Sequence, residues 1–248
     1  MPDPCITLLS DFGRRDPYVG IMKGVILGIC PGVHLVDLTH EVVPQDVEEG
    51  AFQLASAAPW FPDGTIHLAV VDPGVGSQRR AVAARGRRFA YVGPDNGVLS
   101  LAWAQDEPVQ VREIQPGPYT LKTLSRTFHG RDVFAPATAH LARGVALDEL
   151  GPPVLDPVRL ELAEHPRVVH VDGFGNLITS VKREGTPPFQ EVQVGWRSAP
   201  LRETFSGVAP GELVAYWGSL GLLEVAINGG NAAAELGAER GWDVRLRG

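Results

Sequence analysis

From the N-terminus to about residue 150, short apolar runs alternate with stretches of helical period. Ile6 to Leu9 leads into Ser10-Asp11-Phe12-Gly13, which predicts a buried strand opening into a loop. Asp16 before Pro17 reads as an N-cap followed by the residue favoured at the first helical position, and Val19, Met22, Val25, Ile26 and Ile29 keep helical spacing up to Pro31-Gly32. Gly20, Gly24 and Gly28 fall four apart on one face of that helix. Each gives up about 1 kcal/mol of helix propensity, so the stripe predicts close packing against another backbone. Val33 to Leu38 is a second strand, Asp46-Val47-Glu48-Glu49 a D-x-x-E capping box for a helix running to about Ala58, and Thr65 to Val71 a third strand. Val92 to Gly97 is a turn signal, a helix begins within Val98 to Ala104, and Phe128 to Asp132 precedes a helix carrying Val133, Ala137, His140 and Leu141 that closes at Gly144.

This alternation predicts an α/β domain over 1–150: a doubly wound, mostly parallel sheet with helices on both faces. Ligands of such sheets bind beyond the carboxyl ends of the strands, which singles out the loops 10–13 and 72–76. Residues 151–166 are proline-rich and aperiodic, as a linker is. In 167–248, Val168 to Val171, Glu191 to Val194, Glu212 to Trp217 and Leu222 to Ile227 are strand-like runs separated by Gly, Pro and Asn, which predicts a smaller all-β, barrel-like domain.

Composition narrows the partners. The chain has 248 residues, 44% hydrophobic and 21% charged, an ordinary globular profile that excludes a disordered tail protein. Its 22 Lys and Arg against 29 Asp and Glu give a net charge of −7. No basic block stands out, so nucleic acid and anionic membrane are poor partners. The longest near-apolar stretch, Gly20 to Cys30, is broken by Lys23 and is shorter than the roughly 20 residues that span a bilayer; no signal peptide is expected either. Cys5 and Cys30 are isolated thiols, which points to a reducing compartment and a cytoplasmic protein.

Two groups of residues carry candidate chemistry. Asp72, Arg79 and His129, with Asp11 and Asp95 on further loops, combine a carboxylate kept charged by an arginine with a histidine able to polarise a water. Asp before Pro-Gly is also ordinary turn chemistry, and Arg79-Arg80 also reads as a solvated pair. Asp172-Gly173-Phe174-Gly175-Asn176 offers receptors for an ammonium and a carboxylate or amide, and equally well forms a hairpin turn. Gly74-Val75-Gly76 lacks the third glycine of a dinucleotide fingerprint, and no phosphate loop is present. Asp11-Phe12-Gly13 and His129-Gly130-Arg131-Asp132 stand in the wrong order for a kinase. His34, His40, His67 and His170 lie in or beside strand runs and read as satisfied core residues, without zinc-site spacing. Other readings are a metal-dependent nucleotide phosphoesterase with Asp11, Asp72, Asp95 and His129 as ligands, and a non-catalytic nucleoside sensor.

Taken in order, Thr7 to Gly13 with Asp16 and Tyr18 to Gly24, Val70 to Arg80, Gly93 to Gly97, Phe128 to Asp132, Asp172 to Asn176 and Ser219 to Asn228 resemble the adenosine-forming S-adenosyl-L-methionine (SAM) hydrolases. These enzymes, the SAM hydroxide adenosyltransferases, are relatives of fluorinase and chlorinase. The resemblance implies hydrolysis of SAM to adenosine and L-methionine by water attacking ribose C5′. It also implies no cofactor, and a homotrimer with active sites between neighbouring subunits. It assigns Asp11 to the ribose hydroxyls, Asp16, Asp172 and Ser219 to the methionine portion, and Asn176 with Ile227, Asn228 and Gly229 to the adenine side. Asp72, Arg79 and His129 match the polar triad that positions and activates the water, with Asp72 and His129 sharing the proton and Arg79 fixing the carboxylate. Gln45, Asp72 and Gly130 stand where the halogenating branch has a tryptophan, a tyrosine and a serine. An anionic aspartate repels halide, so hydroxide transfer is expected rather than SAM-dependent halogenation.

Overall fold

The computed structural model describes residues 3–160 and 165–248 and divides into two compact units, 1–160 and 161–248. Part of the expected linker, 161–164, lies outside the described residues.

The first unit is the α/β domain. β1 (Cys5–Ser10), β2 (His34–Thr39), β3 (Ile66–Val70), β4 (Ala81–Arg85), β5 (Ala90–Pro94) and β6 (Gln110–Glu113) form one sheet in the order β2-β1-β3-β5-β4-β6. β2, β1, β3 and β5 are parallel, while β4 runs antiparallel to both β5 and β6. Alternate residues of the central strands face opposite cores, as the two-residue period demands. Ile6, Leu8, Leu68 and Val70 pack with Met22 and Ile26 of α1 (Tyr18–Ile29) and Ala135, Ala137 and Leu141 of α4 (Ala135–Ala142). Leu9, Ala69 and Val71 pack with Leu54 and Ala55 of α2 (Val47–Ala57) and Ala102 and Trp103 of α3 (Ser100–Trp103).

After β1 the chain crosses by α1 to β2 on one side, and afterwards by α2 to β3 on the other. The strand order therefore reverses between β1 and β3, at the crevice where open α/β sheets hold ligands. Ser10 and Val70 are register partners there, so the loops carrying Asp11 and Asp72 leave from adjacent strand ends.

In the second unit, β7 (Val168–Val171), β8 (Leu177–Lys182), β9 (Glu191–Val194), β10 (Arg197–Pro200), β11 (Leu213–Trp217), β12 (Leu222–Ile227) and β13 (Val244–Arg247) make two antiparallel sheets, β10-β9-β13 and β11-β12-β8-β7. Bridges close the two sheets on each other. Arg167 pairs with Asp243, Leu201 pairs with Ala215, and the Val168 amide donates to the Trp242 carbonyl at 2.8 Å. The result is a small barrel around Val168, Leu177, Val192, Val225 and Val244, accompanied by a short α-helix, α5 (Ala232–Leu236).

Several local expectations are corrected. Pro17, not Asp16, sits at the N-cap of α1 with no side-chain cap: the Pro17 carbonyl accepts the Ile21 amide at 2.9 Å, leaving Asp16 a residue outside the helix. Gly20, Gly24 and Gly28 lie on the exposed face opposite Met22 and Ile26, and an added Cβ there meets nothing within 4 Å among the described residues. Asp46 does cap α2, accepting the Glu49 amide at 3.0 Å, but the Glu49 carboxylate turns to the Val43 amide at 2.9 Å. α3 is a single turn. β5 runs through Pro94, so the turn starts later than expected; Gly93 passes so close to the Ala69 carbonyl that a Cβ would sit 2.5 Å from it. His34 is exposed rather than in the core.

His67 is a core histidine with one ring nitrogen unpaired among the described residues. It is the cross-strand partner of Thr7, whose hydroxyl meets its Nδ1 at 2.7 Å, while Nε2 has no partner among the described residues and Phe61, Phe89 and Tyr91 surround the ring. Burial pulls its pKa from 6.5 down to about 4, against a weaker upward pull from Asp106. The unfolded chain therefore binds the extra proton first. Stability is full above pH 6.5 and declines as pH falls towards 4, by about 3 kcal/mol in all. Urea unfolding at pH 7 and pH 4.5 should show this loss, and a Thr7→Val, His67→Phe double variant should remove most of the pH dependence in that window.

Candidate active site

Three segments meet around one guanidinium. Asp72 follows β3, Arg79 leads into β4, and His129 precedes a single π-helical turn, Gly130–Phe134, that runs into α4. Arg79 Nε donates to Asp72 Oδ1 at 2.9 Å and to Oδ2 at 3.1 Å, and Nη2 bonds Oδ2 as well. Nη2 also reaches His129 Nδ1 at 2.8 Å. Nη1 lies 3.4 Å from the Arg80 carbonyl, and the guanidinium sits 5.2 Å from the centre of the Phe134 ring. The Arg79 and Asp72 side chains are only 11% and 6% exposed, so this is a nearly desolvated pair whose donors are almost all used.

Arginine has no acceptor, so His129 Nδ1 must be the accepting nitrogen and the proton of the neutral ring sits on Nε2. Burial, and then the Arg79 charge, push the His129 pKa below 6.5, against weaker pulls from Asp72, Asp132 and the Ser125 backbone.

Local chemistry holds the loops in register. Gly76 has φ +77°, and any side chain there would collide with the Arg126 carbonyl, so the Asp72 loop lies directly on the His129 loop. Asp132, fully buried, accepts the Ser125 amide at 2.6 Å and Arg131 Nε at 2.5 Å, which ties down the segment before His129. Phe12, next to Asp11, packs edge-on against Phe128, next to His129, at 5.9 Å. Asp11 itself accepts the Gln45 amide at 2.8 Å; Gln45 has φ +69°, the one non-glycine in the left-handed region among the described residues.

Other expected positions are occupied differently. Asp95 is not part of this group: Arg80 Nε and the Val158 amide hold its carboxylate at 2.7 and 2.8 Å, and Arg80 continues to Asp156. Among the described residues no three of His, Cys, Asp and Glu gather as metal ligands would, so Asp11, Asp72, Asp95 and His129 do not form the set a metal phosphoesterase requires. Asp16 is exposed before α1. In the barrel, Asp172 Oδ1 accepts the Phe174 and Asn176 amides at 2.9 and 2.8 Å, and Oδ2 accepts Asn176 Nδ2 at 2.9 Å, so this pair builds its own turn. Ser219 is exposed on the β11–β12 turn, Ile227 is buried at the end of β12, and Gly229 is exposed just beyond it. Asn228 spends its amide on the Val208 carbonyl at 2.9 Å.

Sequence comparison gives the family of the chain. The N-terminal domain profile of the SAM hydroxide adenosyltransferases matches residues 6–151, and the C-terminal domain profile matches 166–245. The chain belongs to this family. It is 48% identical to the (R)-S-adenosyl-L-methionine hydrolase of Thermus thermophilus over 97% of this chain and 98% of the relative. It is 29% identical to the fluorinase of Nocardia brasiliensis over 98% of this chain and 97% of that one. The crystal structure of a conserved Thermotoga maritima protein superposes with a TM-score of 0.91 at 35% identity, over 97% of this chain and 99% of that one. Family membership thus agrees with the α/β domain and β-barrel described above. Sequence reasoning did not single out Gln45 as a backbone donor to Asp11, Phe134 beneath Arg79, or Asp132 behind His129. The first is betrayed only by its dihedral angle and the others only by three-dimensional contact.

The geometry makes a spectroscopic prediction. In the wild-type protein the His129 ring titrates below 6.5, and Arg79→Ala moves that titration upward, because the repelling cation goes while Asp72 stays. A pH series of imidazole NMR signals, assigned with His129→Gln, measures both.

Proposed function

We propose that the protein hydrolyses SAM to adenosine and L-methionine, with Asp72, Arg79 and His129 handling the attacking water. The observation that carries this reading is the Asp72–Arg79–His129 triad at the strand-order reversal of a chain in this family. Methionine leaves a sulfonium as a neutral thioether, so the departing group needs neither acid nor metal. What remains is to hold the water in line with C5′ and take its proton.

Asp72 is the better acceptor of the two. The His129 Nδ1 lone pair is already given to Arg79, whereas Asp72 Oδ1 accepts a single arginine N–H and keeps lone-pair capacity. Hydroxide transfer is favoured over halide transfer by the carboxylate at 72. At Gly130, a serine Cβ would come within 3.0 Å of Met22 Sδ and 3.2 Å of the Phe128 ring. Asp11 takes the ribose hydroxyls, Asp16, Asp172 and Ser219 the methionine portion, and Asn176 with residues 227–229 the adenine. The resemblance supports a cytoplasmic homotrimer whose sites lie between subunits, which analytical ultracentrifugation of the purified protein tests for the assembly.

Purified protein in EDTA should release equimolar adenosine and methionine from SAM. Both sulfonium epimers belong in the assay, since the Thermus thermophilus relative is named for the (R) form. No adenosine under single-turnover conditions overturns the reading; tight adenosine binding without turnover would instead mark a sensor. Asp72→Asn and Arg79→Lys should each lower kcat on the order of 10²- to 10⁴-fold, the second because an ammonium cannot fork between a carboxylate and an imidazole.

The working state has His129 neutral. Protonating Nδ1 would set an N–H against the Arg79 N–H and open the triad. Activity is therefore retained at pH 7 and lost as pH falls through the lowered His129 pKa, so the acidic limb of kcat/KM should lie below 6.5.

A further inference from the structure

Behind Asp11 runs a relay that the triad does not use, buried at its Ser10–His40 end and exposed at its Lys23–Asp37 end. Lys23 Nζ of α1 donates to Asp37 Oδ2 of β2 at 2.6 Å, and Asp37 Oδ1 accepts from His40 Nε2 at 3.0 Å. With its proton on Nε2, His40 offers the Nδ1 lone pair to the Ser10 hydroxyl at 2.7 Å, at the last residue of β1. The remaining lone pairs of Ser10 Oγ face the Phe12 amide at 3.4 Å, and the His40 carbonyl accepts the Gly13 amide at 2.7 Å. Ser10 and His40 are 1% and 3% exposed. A serine, a histidine and an aspartate in a line resemble a nucleophile system, but this hydroxyl is sealed from any substrate and its bonds point into the turn that carries Asp11.

We propose that His40 is a positioning residue that fixes the Asp11–Gly13 turn, so that the Asp11 carboxylate meets the ribose hydroxyls of the substrate. The inference rests on the ribose role of Asp11 put forward above. Three restraints frame Asp11: the His40 ring on Ser10 before it, the His40 carbonyl on Gly13 beyond it, and the left-handed Gln45 amide on its Oδ2. A left-handed backbone at a residue other than glycine is unfavourable and persists only where its surroundings hold it. The Asp37 carboxyl supports the same direction of bonding. Burial works to raise its pKa, but hydrogen bonds from Lys23 and His40 outweigh it and hold it below the usual value, so it accepts from His40 Nε2 and keeps Nδ1 free for Ser10.

A substrate change and a residue change combine in one test. The wild-type protein should use SAM better than its 2′-deoxyribose analogue on the order of ten- to a hundredfold in kcat/KM, the effect of a hydrogen bond to a charged group. In His40→Ala that ratio should fall to within about threefold. The loss should come from SAM, through KM more than kcat, while the analogue is turned over as before. His40→Asn, whose amide oxygen replaces Nδ1 for Ser10, should recover part of the ratio. Asp37→Ala, on the edge strand, removes the outer link without opening the core and should halve the ratio or more.

Adenosine and 2′-deoxyadenosine binding by calorimetry reads the same discrimination without turnover. Folded His40→Ala and Asp37→Ala proteins that keep the wild-type ratio overturn the proposal, as does a wild-type protein with no ribose preference. A wild-type protein that prefers adenosine to its deoxy form but never cleaves SAM overturns the hydrolase reading instead and leaves the relay to be judged by binding.

Discussion

A buried cation that cannot lose its charge dictates the local architecture. Arginine stays protonated at any pH the fold survives, so removing the Arg79 guanidinium from water is tolerable only if its donors find acceptors in the right plane. Asp72 supplies two oxygens along one edge, His129 Nδ1 supplies a third acceptor, and the Phe134 ring covers a face. Asp72, Arg79 and His129 come from different segments, so satisfying one side chain fixes three backbones against one another. Gly76 on the Arg126 carbonyl and Asp132 beneath the Ser125 amide then hold the loops where that demand puts them. A less complete set of partners would leave a desolvated charge, which is among the most destabilising features a fold can contain.

The same pair suits the chemistry of a sulfonium. When water attacks carbon and a neutral thioether departs, positive charge moves from sulfur to the attacking oxygen, and a proton must leave that oxygen as the bond forms. An unpaired arginine beside it would oppose this shift. Held bidentately by Asp72, the guanidinium is neutralised locally, and in the proposed hydrolysis the carboxylate is the group that takes the proton. A neutral His129 adds no further cation, in keeping with its lowered pKa.

Strands and helices of the N-terminal domain were legible because their signal is local. Ile6 to Leu9 and Thr65 to Val71 are apolar runs that a sheet covered on both faces requires, and the observed β1 and β3 fall on them. Strands β7, β9 and β12 coincide with runs read from the sequence. The expectation failed where a residue's meaning depends on what lies opposite. Gly20, Gly24 and Gly28 keep a packing period yet face outward, because Met22 and Ile26 claim the sheet side of α1. The strand β4 is only Ala81 to Arg85, too bland to announce itself; it is defined by the antiparallel neighbours β5 and β6. The triad was readable as a set through family motifs. Its hydrogen-bond directions were not, since those depend on which nitrogen of His129 meets Arg79.

Histidines show most plainly why residue type alone does not give role. His67, His40 and His129 each place Nδ1 against one partner, at separations of 60, 30 and 50 residues along the chain. Thr7 reaches His67 because the β1–β3 register sets them side by side, and the aromatic wall around the ring then leaves it neutral with a nitrogen unpaired among the described residues. Ser10 reaches His40 because the chain returns from β2 beneath the end of β1, and Asp37 on that same strand decides which nitrogen holds the proton. Arg79 reaches His129 because two loops are pressed together at Gly76. One imidazole is buried in the core, one transmits order to a neighbouring loop, and one completes a charged cluster, and in each case the partner was chosen by strand register and loop contact rather than by the residues beside it. The chemical role of a histidine here is a property of the topology that delivers its partner.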